Sequence, residues 1–178
     1  MTNTIKKAPL VQRIAFILQQ GAEWKPDYIL EIEKTWGALT HKGAWVKFDR
    51  TPYYTPEMGS GLFRCVIAFQ GLIDPSLAAR DKLAAMQVEQ QLAQSTGNRA
   101  INIDIGYMDA DKIILPSCKQ GPWKVYWGEG IWLDIVMHYA KGVFTGSPWT
   151  FEDFARNPYQ RDLLLIREKY KKALKTSA

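Results

Sequence analysis

The chain has 178 residues, of which 47% are hydrophobic and 23% charged, and its formal net charge is +5. A chain of this length can bury a core of its own, so we expect one folded domain over residues 1–178 and not a disordered protein. No apolar run approaches the roughly 18 residues of a membrane span, and Ile14–Leu18 is too short for a secretory leader. We therefore predict a cytoplasmic protein without a membrane partner, loosely ordered at residues 1–9 and 174–178.

Strand and helix patterns alternate through the first half of the chain. Pro26 suits a first helical turn and Gly37 a helix C-cap, and the residues between them repeat apolar positions at helical spacing. Asp74 followed by proline is a good helix start, and an alanine-rich run then continues towards Gly97. The predicted elements are a strand at 14–18, a helix at 26–36, strands at 44–48 and 62–69, a helix at 75–95 and a strand at 99–105.

The second half reads as a run of strands closed by helices. Segments 112–115, 123–127 and 131–139 are strand-like and are separated by Gly, Pro and Asp turns, which predicts an antiparallel meander. Thr150 is placed to cap a short helix that begins at Phe151. A final apolar stripe then predicts a helix that packs on the sheet. The stripe consists of Leu163, Ile166, Tyr170 and Leu174.

The order of these elements indicates the fold class. Strand, helix, strand, strand, helix, strand is the split βαβ order of ferredoxin-like folds. The sequence therefore predicts an α+β fold that starts as a ferredoxin-like split βαβ unit, is extended by an antiparallel meander, and ends in a C-terminal helix packed on the sheet.

One strand carries polar side chains on a single face. Asn102 and Asp104 lie two residues apart, so a strand presents both on the face that it shares with Gly106, while isoleucines occupy the other face. A solvent-facing strand edge explains this pattern as well as a binding site does. Gly106 leaves room for a close approach and Tyr107 adds a hydroxyl group, and these neighbours favour a site.

Charged residues elsewhere could complete such a site. Lys82 and Glu89 are seven residues apart on the second helix and share a face, which is also what a solvated helix surface shows. Glu57 lies in a proline-bracketed loop shortly before Arg64, and the two could pair. A structural ion pair, a catalytic carboxylate and an anion-binding guanidinium are all consistent with that spacing.

Metal and thiol chemistry have little support in the sequence. The soft ligands are His41, His138, Cys65 and Cys118, and none falls at the short paired spacing of a zinc site. Both cysteines lie in apolar strand-like runs, so we expect reduced core thiols, and a Cys118–His138 nucleophile pair would require adjoining strands. No metal ligands are assigned, and magnesium on Asp104 and Glu89 is the remaining metal hypothesis.

The last helix is the basic part of the chain. Between Arg161 and Lys175 six basic residues stand against two acidic ones, a surplus of four positive charges. With the tryptophan-rich segment around Trp123 and Trp127, this helix offers an alternative function as an RNA- or protein-interaction module. Solvated lysines are the simpler interpretation, and nucleic acid is not the partner that the sequence favours.

Several motifs together resemble one family over nearly the whole chain. They are Phe48-Asp49, Tyr53-Tyr54, Glu57-Met58-Gly59, Arg64, Lys82, Glu89, Arg99, Asn102-Ile103-Asp104, Gly106-Tyr107, Lys119 and Trp149-Thr150. Their order and spacing resemble the bacterial domain of unknown function 4416 family. This chain departs from the family pattern at Met86, Ile105, Cys118 and Glu152. The resemblance implies a divergent member whose site is altered or lost.

The resemblance implies no established activity. Some members carry a nominal GTP-binding label, but Gly59-Ser60-Gly61 opens a strand and lacks the Gly-Lys-Ser/Thr ending of a phosphate loop. The cofactor, the catalytic residues and any reaction are left open. Our leading hypothesis is a pocket that binds a small anionic ligand and could belong to an enzyme. Its predicted residues are Tyr54, Glu57, Arg64, Lys82, Glu89, Arg99, Asn102, Asp104, Tyr107 and Lys119.

Overall fold

The computed structural model describes residues 6–93 and 97–176, and in those residues the chain forms nine strands and five α-helices. The strands are β1 (Val11–Gln20), β2 (Leu39–Lys42), β3 (Val46–Lys47), β4 (Leu62–Ile73), β5 (Ile101–Met108), β6 (Lys112–Ser117), β7 (Val125–Gly128), β8 (Ile131–Ala140) and β9 (Val143–Gly146). The helices are α1 (Pro26–Trp36), α2 (Thr55–Met58), α3 (Ala78–Gln91), α4 (Glu152–Arg156) and α5 (Gln160–Thr176). A 3₁₀ turn, Pro75–Leu77, leads into α3.

All described strands belong to one antiparallel sheet. The order across it is β2-β4-β1-β5-β6-β8-β7, with β3 beside β4 and β9 beside β8. Each of the strand pairs is antiparallel. The predicted α+β class with a large antiparallel sheet is confirmed. None of the helices in the described parts of the chain has the length and apolar character needed to span a membrane.

Both faces of the central strands are covered. Ile17 of β1 and Ile103 of β5 belong to one buried cluster with Ile32 of α1 and Val88 of α3. On the opposite face a second cluster contains side chains of β1 and β4 together with side chains of α4 and α5. Its members include Phe16, Val66, Phe154, Leu163 and Ile166. Burial on both faces explains why the central strands read as continuous apolar runs.

Two strands were not predicted. β2 contains Thr40, His41 and Lys42 and shows no alternation of apolar side chains. β9 pairs with β8 through the two-residue turn Lys141–Gly142, in which both residues have positive φ (49° and 88°). Positive φ at both central positions is the geometry of a tight hairpin turn. The predicted strand at 44–48 is shorter than expected, since only Val46–Lys47 pairs.

Helix starts are partly as predicted. The Asp74 carboxylate accepts a hydrogen bond from the Ser76 N–H at 2.9 Å, as expected of an N-cap. The prediction for Thr150 is wrong, because α4 begins at Glu152 with Phe151 as its N-cap. The Thr150 hydroxyl is buried and has no hydrogen-bond partner within the described residues.

Some predicted bounds lie at or beyond the described residues. Of the second predicted helix, residues 94–96 lie outside the described residues, and α3 ends at Gln91. Of the chain ends predicted to be loosely ordered, 1–5 and 177–178 also lie outside them, while 174–176 form the last turn of α5.

The feature that positions the site is a gap between β5 and β6. The two strands pair only at Tyr107 with Ile114 and at Met108 with Ile113. If the pairing continued in the same register, Ile105 of β5 would lie opposite Pro116, which has no N–H to donate. β6 separates from β5 here, whereas along its other edge it pairs with β8 from Lys112 to Ser117. A cleft opens beside the unpaired part of β5.

Candidate functional site

The cleft between β5 and β6 has a volume of about 280 Å³. Side chains of α2, α3, β5, β6, β8 and α4 line it, together with the turn that follows β6. Of the ten predicted site residues, eight lie on its wall: Tyr54, Glu57, Lys82, Glu89, Arg99, Asn102, Asp104 and Lys119. The structure thus brings together residues spread over more than 60 positions of sequence.

The β5 wall presents Asn102 and Asp104, as their shared strand face predicted. Asn102 is 3% exposed, and its Oδ1 accepts a hydrogen bond from Arg99 Nη1 at 2.7 Å. Arg99 Nε lies 3.2 Å from Glu57 Oε1. Arg99 therefore links α2, through Glu57, to the wall formed by β5.

Arg64 lies behind that wall, and it does not line the cleft. It is 1% exposed, and its guanidinium donates to Asp153 Oδ2 at 2.8 Å and to Asp104 Oδ2. Its Cζ is 4.7 Å from the centroid of the Phe154 ring. Burial acts to lower the pKa of Arg64, but Asp153 and Asp104 together raise it above its ordinary value. The predicted Glu57–Arg64 pair is wrong, since Glu57 pairs with Arg99 and Arg64 holds Asp104.

The α3 wall contributes Lys82 and Glu89 from one helix face. Glu89 is 7% exposed, and its Oε1 accepts the backbone N–H of Ile103 at 2.6 Å. Its Oε2 lies 3.9 Å from Arg99 Nε. Burial raises the pKa of Glu89, although Lys82, the Ile103 N–H and Arg99 act to lower it. Lys82 is half-buried and forms no salt bridge with a residue that the structure describes.

The third wall consists of the segment before α2, with Tyr53 and Tyr54, and the turn after β6. Lys119 Nζ donates to the hydroxyl of Tyr53 and lies 4.7 Å from the centroid of that ring. Tyr54 is buried beside Tyr53, and burial raises the pKa of its hydroxyl. Tyr107 lies elsewhere, in a separate buried cluster with Val11. Its position on the opposite face of β5 from Asn102 explains why it does not reach the cleft.

The residues that sequence reasoning missed come from β6, β8, the turn before β7, and α4 with the residue before it. Lys124 Nζ donates to Ser117 Oγ at 3.0 Å and lies 3.7 Å from Asp134 Oδ2. Asp134 Oδ1 in turn accepts from Trp149 Nε1 at 3.1 Å. No spacing in the sequence relates these residues to β5, because the gap between β5 and β6 sets their distance. Further lining residues are Leu115, Pro116, Val136, Phe151 and Phe154.

The prediction that both cysteines are buried core thiols is correct for one of them only. Cys65 is buried as expected, but Cys118 is exposed and lies on the cleft wall. His138 is also exposed, and it pairs with Lys112 at the opposite end of β6 from Cys118. The Cys118–His138 pair therefore does not form. Within residues 6–93 and 97–176 no group of three or more His, Cys, Asp or Glu side chains is placed to hold a metal ion.

The basic helix and the tryptophans lie on different elements. Lys171, Lys172 and Lys175 are exposed on α5, which contacts β4 and β9. Trp123 and Trp149 stack at 4.9 Å with 17° between their rings, outside α5 and next to the cleft. Trp123 lies in the turn before β7 and not in the strand.

Comparison with known proteins identifies the family. The family model described as Domain of unknown function (DUF4416) matches residues 9–170. The chain belongs to the DUF4416 family. The resemblance seen in its motifs is confirmed over most of the chain. No curated protein and no solved structure matches the chain.

Met86 and Cys118, two of the positions interpreted in the sequence as departures from the family pattern, lie in contact on the cleft wall of this DUF4416 chain. Cys118 Sγ is 3.4 Å from Met86 Sδ. Met86 comes from α3 and Cys118 from the turn after β6, so these two elements meet at this contact. Thiol and thioether groups are weak hydrogen-bonding partners, and this part of the wall is therefore less polar than the β5 wall.

Proposed function

We propose that this DUF4416 protein binds a small ligand with an anionic group in the cleft between β5 and β6. The observation that carries the proposal is that two lysines of the cleft form no salt bridge with a described residue. Lys82 and Lys119 line the cleft from different elements, and neither has a carboxylate within 4.0 Å among the described residues. An ammonium group without a carboxylate partner in a concave site is suited to an anion.

Each carboxylate that lines the cleft lies near a cation of the protein. Arg99 lies near both Glu57 and Glu89, Arg64 holds Asp104, and Lys124 lies near Asp134. These pairs keep the carboxylates in place and limit their repulsion of an anion. If the protein catalyses a reaction, Glu89 is the group suited to carry a proton, because burial raises its pKa.

We also infer the scaffold on which this site is built. β1, α1, β2, β4, α3 and β5 follow the order of a split βαβ unit of the ferredoxin-like kind, with the strands arranged β2-β4-β1-β5. β6 to β9 would then be additions to one edge, and α5 a cover for the face opposite α1 and α3. This assignment is supported by Leu163 and Ile166, which share a buried cluster with Phe16 of β1.

Ligand binding can be tested by thermal shift with a panel of nucleotides and phosphorylated metabolites. A ligand at 100 times its Kd stabilises the folded state by roughly 2.7 kcal/mol, which gives a clear shift. We expect Lys82→Gln and Lys119→Gln each to weaken binding about tenfold or more, because each removes a charge-assisted contact.

Lys171→Gln is the matched control, since Lys171 is exposed on α5 away from the cleft. It should leave every shift unchanged. The proposal fails if no compound in the panel raises the melting temperature, or if the two cleft variants respond as the control does.

A further inference from the structure

One buried hydrogen-bond donor on the cleft wall has no partner in the protein. Asn102 is 3% exposed and lines the cleft, and its Nδ2 has no hydrogen-bond partner among the described residues. The orientation of this amide is set, because Arg99 donates to its Oδ1. An unsatisfied buried N–H group costs roughly 1–3 kcal/mol, so a hydrogen-bond acceptor from a bound molecule is expected there.

An acceptor lies next to this donor. Asp104 is two residues further along β5, so its side chain is on the same face at a Cα spacing of about 6.5–7 Å. Its Oδ2 accepts from Arg64, whereas its Oδ1 accepts no hydrogen bond from the residues that the structure describes. The Asp104 side chain is 21% exposed on the cleft wall. The wall therefore offers one donor and one acceptor side by side.

A hydroxyl group matches this arrangement, because it donates and accepts at a single oxygen. The cleft has two ammonium groups that form no salt bridge with a described residue, Lys82 and Lys119, and a phosphate monoester carries a charge of about −1.5 to −2 near neutral pH. Exposed rings of Tyr53 and Phe151 provide apolar surface on the cleft wall. An aromatic ring offers a carbon skeleton a large contact area.

We propose that the ligand is a phosphorylated polyol, such as a small sugar phosphate, whose hydroxyl groups are recognised by Asn102 Nδ2 and Asp104 Oδ1. Its phosphate group contacts Lys82 and Lys119, so the inference rests on the proposed function. Asn102 is then the residue that distinguishes a hydroxylated phosphate ester from a plain one.

The test compares phosphate esters with and without hydroxyl groups by isothermal titration calorimetry. sn-Glycerol 3-phosphate and D-ribose 5-phosphate are the hydroxylated probes, and n-propyl phosphate has the carbon chain of the first without its hydroxyls. We expect at least one hydroxylated probe to bind about tenfold or more tightly than n-propyl phosphate, because a site built for hydroxyl groups discriminates against a ligand that lacks them.

Asn102→Asp then assigns the preference to the amide. The variant keeps an acceptor for Arg99 and loses the Nδ2 donor. Its added negative charge weakens all three esters alike, so the ratio of affinities is the readout, and we expect that ratio to fall towards one. Asn98→Asp makes the same substitution at an exposed position nearby and should preserve the ratio.

Asp104→Asn is the second variant, used also if Asn102→Asp does not fold, because its amide oxygen can still accept from Arg64. It exchanges an acceptor for a donor and should lower the same ratio. Equal affinity of the wild type for all three esters, or a ratio that both cleft variants preserve, overturns the inference and leaves anion binding intact. Absence of binding by every compound in the wider panel overturns both.

Discussion

The guanidinium of Arg64 is a full charge buried between the sheet and α4, and two carboxylates from different parts of the chain hold it. Asp104 comes from β5 and Asp153 from α4, and Tyr159 donates to Asp153 Oδ2 at 2.9 Å. Removing one partner of a buried ion pair costs roughly 3–5 kcal/mol, because the other charge is left unpaired. Substituting Arg64 would therefore confuse stability with binding, and Lys82 and Lys119 are the better positions for testing the cleft.

Glu89 should make stability depend on pH. Its folded-state pKa lies above the ordinary value of 4.5, mainly because of burial, so the folded protein keeps this proton to higher pH than the unfolded chain. The contribution of Glu89 to stability therefore falls as the pH rises from about 4.5 through its folded-state pKa. We expect Glu89→Gln, which keeps the acceptor for the Ile103 N–H, to gain stability relative to the wild type over that window. Urea denaturation between pH 4.5 and 7.5 measures the difference.

The matched control for this experiment is Glu168→Gln, on the exposed face of α5. Its stability should follow that of the wild type at every pH. A constant difference between Glu89→Gln and the wild type across the range would contradict the predicted role of burial.

At the scale of elements, the site depends on where β5 and β6 separate. Gly106 stands at this point, and its backbone lies so close to β6 that an added Cβ would overlap the carbonyl oxygen of Ile114. The same Cβ would be 2.9 Å from Leu115 Cδ2. The room that Gly106 leaves, noted in the sequence as a sign of a site, is thus filled by β6 itself.

We expect Gly106→Ala to destabilise the fold by roughly 1–3 kcal/mol or more, as overpacking does, because a backbone carbonyl cannot move aside cheaply. Chemical denaturation measures this loss. Gly121→Ala provides the comparison, since an added Cβ there meets only Lys124 at 3.5 Å, an ordinary contact. Similar stabilities for the two variants would show that β6 can shift away from β5 without cost.

At the scale of the whole molecule, α5 is part of the core and also the most basic surface. Leu163, Ile166 and Tyr170 are buried, while Lys171, Lys172 and Lys175 are exposed. Deleting α5 would remove buried apolar side chains, so a truncated chain cannot test the alternative role in RNA or partner binding. Substituting only the exposed lysines separates the role of α5 in stability from its alternative role in binding.

We expect the triple variant Lys171→Gln, Lys172→Gln, Lys175→Gln to keep its stability within about 1 kcal/mol, because exposed pairs such as Lys172–Glu168 contribute little. It should also bind phosphate ligands as the wild type does. Fluorescence anisotropy with a single-stranded RNA, measured over a range of salt concentrations, checks the alternative. A salt-steep affinity that the triple variant loses would favour the interaction module over the pocket.

Prediction from the sequence succeeded where local pattern determines local structure. The shared face of Asn102 and Asp104 follows from strand parity, and α1 follows from its helical spacing and its glycine cap. It failed for β2 and β9, whose four-residue segments form strands because β4 and β8 offer edges to pair with. Prediction also failed for the partner of Glu57. Both Arg64 and Arg99 are basic residues of the predicted site, and sequence spacing does not determine which of them contacts Glu57.

The sequence by itself determined the family, the α+β class and eight of the residues that line the cleft, because side-chain periodicity and motif order are properties of the chain. Only the tertiary structure decided that Arg64 lies behind the wall, that Cys118 faces the cleft and that Asn102 Nδ2 is left without a partner. The reason is physical: those outcomes depend on contacts between strands and helices far apart in the chain, such as the short pairing of β5 with β6, which no local pattern in the sequence determines.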